Sequence, residues 1–109
     1  MNSTDQLREF IDSIPTLAWS AAPDGSAESF NRRWLDYTGL VEDAARGPGW
    51  KLAVHPDDLS RMLEVIGQSL QAGQPFEVEG RLRRFDGEFR RFLFRGTPVR
   101  DAAGKIIKW

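Results

Sequence analysis

Cysteine is absent from these 109 residues, and histidine occurs once, as His55. Without Cys there is no disulfide, no thiolate metal site and no cysteine nucleophile, and the composition fits a reducing compartment. Met1 to Leu7 is polar and acidic and lacks the apolar stretch of a signal peptide. No uncharged apolar run approaches the ~20 residues that cross a bilayer as a helix. An excess of one charge is missing too: 15 Lys and Arg stand against 16 Asp and Glu, a net charge of −1. The chain as a whole therefore carries no polyanion-binding signature. These absences lead us to expect a cytoplasmic piece without membrane contact of its own, whatever anchors its parent protein.

What is present is aromatic and apolar. The apolar share is 40%, with four Trp and seven Phe, which calls for a folded domain rather than a disordered one. The length suits one domain, able to bury roughly two thirds of its unfolded surface. The charge is uneven: residues 1–60 hold 5 basic and 10 acidic groups, and residues 61–109 hold 10 and 6.

Turn chemistry and periodicity divide the chain. Ser3 and Gln6 stand at capping-box spacing, and Leu7, Phe10, Ile11 and Ile14 recur on one helical face until Pro15 ends it. Thr16 to Ala21 alternates as a strand, Pro23-Asp24-Gly25 turns, and Ala27 to Phe30 returns as a second strand. Asn31 is an N-cap for a helix from Arg32 to Thr38, closed by Gly39. Val41 to Arg46 is a further short helical piece, Gly47-Pro48-Gly49 breaks the chain, and Trp50 to Val54 is a brief apolar turn. Pro56, Asp57 and Asp58 suit the start of the main helix, with Leu59, Met62, Leu63, Ile66 and Leu70 as its stripe and Gly73 as its stop. Pro75 to Phe85 and Glu88 to Val99 read as long strands about an Asp86-Gly87 turn, and Ile106 to Trp109 begins a last strand. The expectation is an α+β fold: a five-stranded antiparallel sheet, short helices and one longer helix packed on one face, and an N-terminal flanking helix.

This order, with Phe30-Asn31-Arg32-Arg33-Trp34-Leu35-Asp36-Tyr37-Thr38-Gly39, Trp50, Val54-His55-Pro56-Asp57-Asp58, Phe76 to Arg81, Asp86-Gly87, Pro98 to Asp101 and Gly104, resembles the PAS fold. The resemblance is to the branch common in bacterial histidine kinases and cyclic-di-nucleotide enzymes such as diguanylate cyclases. It implies a flanking helix over 1–15 and a sensory domain over 16–109, cut just after or within its last strand. Two departures stand out. Arg91 replaces a frequent Trp, which touches the packing of one sheet face, and Gly80 replaces a larger residue, which leaves local space near the sheet or relaxes that strand.

The resemblance places ligands between sheet and helices. The inward set there is Trp19, Phe30, Trp34, Leu35, Trp50, Leu63, Ile66, Phe76, Val78, Phe92 and Phe94. These residues also serve as plain core, since interiors pack densely. Few polar residues point inward, so a small apolar ligand or none is expected, and the cofactor stays open. The flavin adduct of photochemical PAS domains needs a Cys that is missing. Haem-binding members carry a His in the long helix, and Asp57 to Ala72 has none. His55 with Asp57 and Asp58 is read as helix-start capping rather than a metal cluster, which needs three or four convergent ligands. No metal and no catalytic residue is assigned.

Arg81 to Arg100 holds seven Arg interleaved with Phe85, Phe89, Phe92 and Phe94. Such a face stacks single-stranded nucleic acid in other proteins. The preferred reading is a solvated sheet in which Arg81, Arg83 and Arg95 pair with Glu77 and Glu79, with no nucleic acid bound. The stripe of Leu7, Phe10, Ile11 and Ile14 suits packing on the outer sheet face or on a sister chain, and the resemblance, whose members commonly dimerise through such a helix, implies a homodimer. The expected function is sensing and relay to an attached output domain, a histidine kinase or cyclase, without catalysis by this fragment. The alternatives are a pure PAS–PAS interaction module and an anion or nucleic-acid binder.

Overall fold

The computed structural model describes Gln6, Glu9, Asp12, Ser13 and residues 16–109. The expected dimer residues Leu7, Phe10, Ile11 and Ile14 lie outside the described residues. In chain order the elements are β1 (Trp19–Ala21), β2 (Ala27–Phe30), α1 (Arg32–Thr38), α2 (Glu42–Ala45), a 3-10 turn (Gly49–Ala53) and α3 (Pro56–Ala72). Then come β3 (Phe76–Arg83), β4 (Phe89–Gly96), β5 (Val99–Arg100) and β6 (Ile106–Lys108).

The strands form antiparallel pairs, β1 with β2, β3 with β4 and β5 with β6. Trp109 and Ala21 exchange two backbone hydrogen bonds of 2.9 Å, which join the first pair to the last. Six strand segments thus stand where five were expected. The difference lies in the stretch from Glu88 to Val99: β4 stops at Gly96 and β5 restarts at Val99, across a Pro98 that has no N–H for a ladder.

Local chemistry sets the turns. Gly25 and Gly87 take φ of 91° and 92° in the two hairpin connections, where a side chain would be strained. Asn31 caps α1 by accepting the Trp34 N–H at 3.0 Å, and Gly39 closes that helix in the left-handed region. His55 caps α3 through Nδ1, which accepts the Asp57 N–H at 3.1 Å, and its ring meets the edge of Phe89 at 4.6 Å.

The main core gathers Ala21, Ala53, Val54, Met62, Phe76, Val78, Leu82 and Trp109. Helix α3 turns Leu59, Met62, Ile66 and Leu70 toward it, at successive spacings of three and four residues. Leu63, expected inward, is one residue off that row and is only half-buried. Gly80 leaves no free space: a Cβ there would stand 2.2 Å from the Met62 sulfur. Met62 is fully buried and fills the volume beside Gly80.

The ion pairing departs from expectation as well. Arg95 does pair with Glu77, at 3.3 Å, but Arg81 is taken by Asp58. Asp58 Oδ2 accepts the Arg81 N–H at 2.8 Å and its Nε–H at 2.9 Å, and Oδ1 accepts from Nη2 at 3.0 Å. The strand register sets Arg81 directly opposite Arg91 on β4, a like-charge pair that is unfavourable across strands. Asp58 neutralises one member while pinning the start of α3 to β3, and Arg91 itself remains exposed.

These Arg81 bonds hold the Asp58 carboxyl well below the usual carboxylate range. A depressed folded value means the stabilisation is complete above the unfolded Asp value of about 4 and fades as pH falls through the folded value. Asp86, lowered to about 2 by its hydrogen bond from Arg84, acts in the same direction. Wild-type protein should therefore lose stability progressively below about pH 4. Asp58→Asn should be less stable at neutral pH and show a shallower acid slope, the remainder coming from Asp86. Urea midpoints across the acid range check this; identical slopes in both proteins would refute the role of Asp58.

Candidate ligand cavity

A cavity of about 50 Å³ lies between the sheet and the helices, lined by Trp19, Gly25, Ala27, Phe30, Trp34, Trp50, Ile66, Phe76 and Phe94. Each element contributes for a local reason. β1 places Trp19 opposite Phe30 of β2, and the Asn31 cap starts α1 so that Trp34, one turn on, stacks on Phe30 with ring centres 4.2 Å apart. Ile66 comes from the inner row of α3. Phe76 and Phe94 come from β3 and β4, two residues out of register with each other. Phe76 stands 6.2 Å from Trp19 and 6.5 Å from Trp109, ring centre to ring centre.

Seven of the eleven candidate residues thus surround one space. The other four do not line it. Val78 is buried in the core, opposite Phe94. Phe92 turns to the edge of Tyr37, 5.1 Å away. Leu35 packs beside Phe30 and Trp34, and Leu63 sits on the flank of α3. Gly25 and Ala27 were missed because small residues in a hairpin carry little apolar signal; only the fold brings them beside the ring cluster. Trp109, read as part of the last strand, is also a core residue, 6% exposed, whose indole N–H donates to the Pro23 carbonyl at 3.2 Å. Tyr37 was also missed: its hydroxyl donates to the Leu82 carbonyl at 3.0 Å, and burial raises its pKa.

The walls are apolar and present no charged side chain. An engineered apolar cavity of about 150 Å³ stays dry and takes benzene, whereas drug-sized ligands occupy roughly 300–1,000 Å³. The observed space holds a few non-hydrogen atoms unless a wall moves. Among the described residues no three His, Cys, Asp or Glu are grouped to hold a metal ion, and no helix is long and apolar enough to cross a membrane. Every buried side-chain nitrogen and oxygen described has a hydrogen-bond partner.

An Asn-capped helix behind a hairpin, one long helix over antiparallel strands and an aromatic cavity between them is an arrangement seen before. The sequence profile of the PAS fold matches residues 28–109. The chain belongs to the PAS fold family. This PAS domain is 37% identical over 102 residues to the peroxide stress-activated histidine kinase mak1 of Schizosaccharomyces pombe, covering 93% of this chain and 6% of mak1. It is 33% identical over 107 residues to the uncharacterized protein y4lL of Sinorhizobium fredii, covering 98% of this chain and 13% of that one. The PAS domain thus spans a small fraction of the curated relatives it matches. Among solved structures, the Rhodobacter sphaeroides LOV protein superposes with a TM-score of 0.77 at 18% identity, over 96% of this chain and 62% of that chain. At that identity the likeness concerns the fold.

Proposed function

We propose that this PAS domain is a non-catalytic sensory input module. A small apolar ligand, or a contact with a partner, shifts the packing around the aromatic cavity, and an attached output domain reads the shift. Kinship with mak1 supports a histidine kinase as that output. The observation that carries the reading is the apolar cavity shared by the hairpin, α1, α3 and β4: whatever enters it touches most elements of the fold at once. The shift cannot exceed the ligand's difference in affinity for the two packings.

The small size of the cavity, about 50 Å³, favours one second reading: a PAS–PAS interaction module whose interior stays closed. Native mass spectrometry of freshly purified protein separates the two, with Ala27→Val as the filled-cavity control. Sensing by ligand predicts a non-covalent excess mass that is present in wild type, lost on denaturation and absent from Ala27→Val. A bare chain mass in both proteins, as dimers, would support the interaction module instead.

A further inference from the structure

Gly80 and Arg91, the two positions where the sequence departs from the family pattern, meet in one place. Both line a polar cleft of about 130 Å³ beside β3, together with Asp58 and Arg61 of α3, Glu79 and Arg81. The cleft shares no lining residue with the apolar cavity, and neither ligand sensing there nor a PAS–PAS contact makes use of it.

Three guanidinium groups, Arg61, Arg81 and Arg91, face two carboxylates, Asp58 and Glu79, a net charge of 3 − 2 = +1. The two carboxylates are not equivalent. Asp58 is engaged by Arg81, whose Nε and Nη2 donate to its two oxygens at 2.9 and 3.0 Å. That two-pronged bond fixes the plane of the Arg81 guanidinium, and three of its five N–H groups stay without a partner among the described residues. Arg61 is held over β3, donating through Nη2 to the Glu79 backbone carbonyl at 2.8 Å and standing 3.8 Å from Asp58 Oδ1. Arg91 is exposed and has no hydrogen bond or ion pair among the described residues. Its register opposite Arg81 sets two like charges side by side, an unfavourable cross-strand pair. Asp58 compensates one of them and leaves the other.

We propose that this cleft binds a small phosphate-type oxyanion, free phosphate or the phosphate group of a small monoester, which bridges Arg91 to Arg81 and Arg61. Guanidinium N–H groups in a fixed fork match phosphate oxygens two at a time. The three guanidiniums come from three elements, α3, β3 and β4. A tetrahedral phosphate offers oxygens in all three directions, whereas the two oxygens of a carboxylate lie in one plane. At ~30 Å³ per water the cleft has room for about four waters, enough for the phosphate group with any organic part left outside. The bound anion supplies the counter-charge that Arg91 lacks and ties the start of α3 to both strands. Glu79, the carboxylate that no arginine engages, opposes binding and so gives the site a built-in control.

The test titrates inorganic phosphate and glycerol phosphate at pH 7 and constant low ionic strength, with chloride as the reference anion. Phosphate at ten times its Kd should raise Tm by about 5 °C and shift the Nε–H NMR signals of Arg61, Arg81 and Arg91. Arg91→Gln should weaken binding at least tenfold. In phosphate-free buffer the same variant should be at least as stable as wild type, because the like-charge pair is gone. Glu79→Gln should tighten binding about threefold, the effect of removing one screened charge at close range. Tighter binding of glycerol phosphate would identify the ligand as a monoester, and tighter binding of inorganic phosphate as the free ion. Equal stabilisation of wild type and Arg91→Gln by phosphate would overturn the proposal, since phosphate also stabilises folded proteins by exclusion from their surface. Arginine signals that stay unmoved through the titration would overturn it as well.

Discussion

Replacing Trp34 by alanine should destabilise the domain by about 3–5 kcal/mol, the range for large aromatic to alanine changes in a core. Trp34 is 3% exposed and stacks on Phe30 within a cluster that also holds Ala27 and Ala45. Its removal takes away a ring that no neighbour can replace, because α1 is only seven residues long and held at both ends by its caps. The enlarged space joins the existing cavity and is apolar, so it should take up benzene, which in turn raises the variant's Tm. Urea unfolding measures the cost and thermal scans with benzene measure the uptake. A loss under about 1 kcal/mol would place Trp34 at a yielding surface rather than in a packed core.

Asn31→Ala should cost a comparable amount for a different reason. Asn31 is fully buried. Its Oδ1 accepts the N–H of Trp34 and of Ala18, each at 3.0 Å, and its Nδ2 donates to the Thr16 carbonyl at 2.7 Å. The lost cap contributes about 0.5–2 kcal/mol, and each buried partner left unpaired adds about 1–3 kcal/mol. A total near 3–5 kcal/mol follows, with faster amide exchange at Ala18 and Trp34. Ser in place of Asn keeps only the cap and should recover a minor part. Recovery of wild-type stability by Asn31→Ser would show that the cap, and not the bonds to residues 16 and 18, carries the effect.

The cap at Asn31 shows what local chemistry makes legible. A short polar side chain before an apolar helix has one job that sequence can state, and the structure shows it done. The bonds from that side chain to Thr16 and Ala18 were not legible, since they span 15 and 13 residues. The ion pairs divide in the same manner. Glu77 with Arg95 follows from strand register, whereas Asp58 with Arg81 joins a helix start to a strand 23 residues away. Seven aromatic and aliphatic cavity residues carried an apolar signal. Gly25 and Ala27 carried none, because only the fold brings small hairpin residues to the cavity wall.

By itself the sequence determined the order of elements, the positions of the turns and caps, the antiparallel hairpins and the PAS family. The elements, turns, caps and hairpins rest on interactions within a few residues or on alternation along one strand, and the family rests on the resemblance of the ordered motifs. Only the tertiary structure decided which side chains enclose the cavity and how little room they leave. It also decided that Met62 fills the space at Gly80, that Asp58 claims Arg81, and that Trp109 is core. Each of these depends on the distance between elements far apart in the chain, a quantity that close packing sets and that no local pattern encodes.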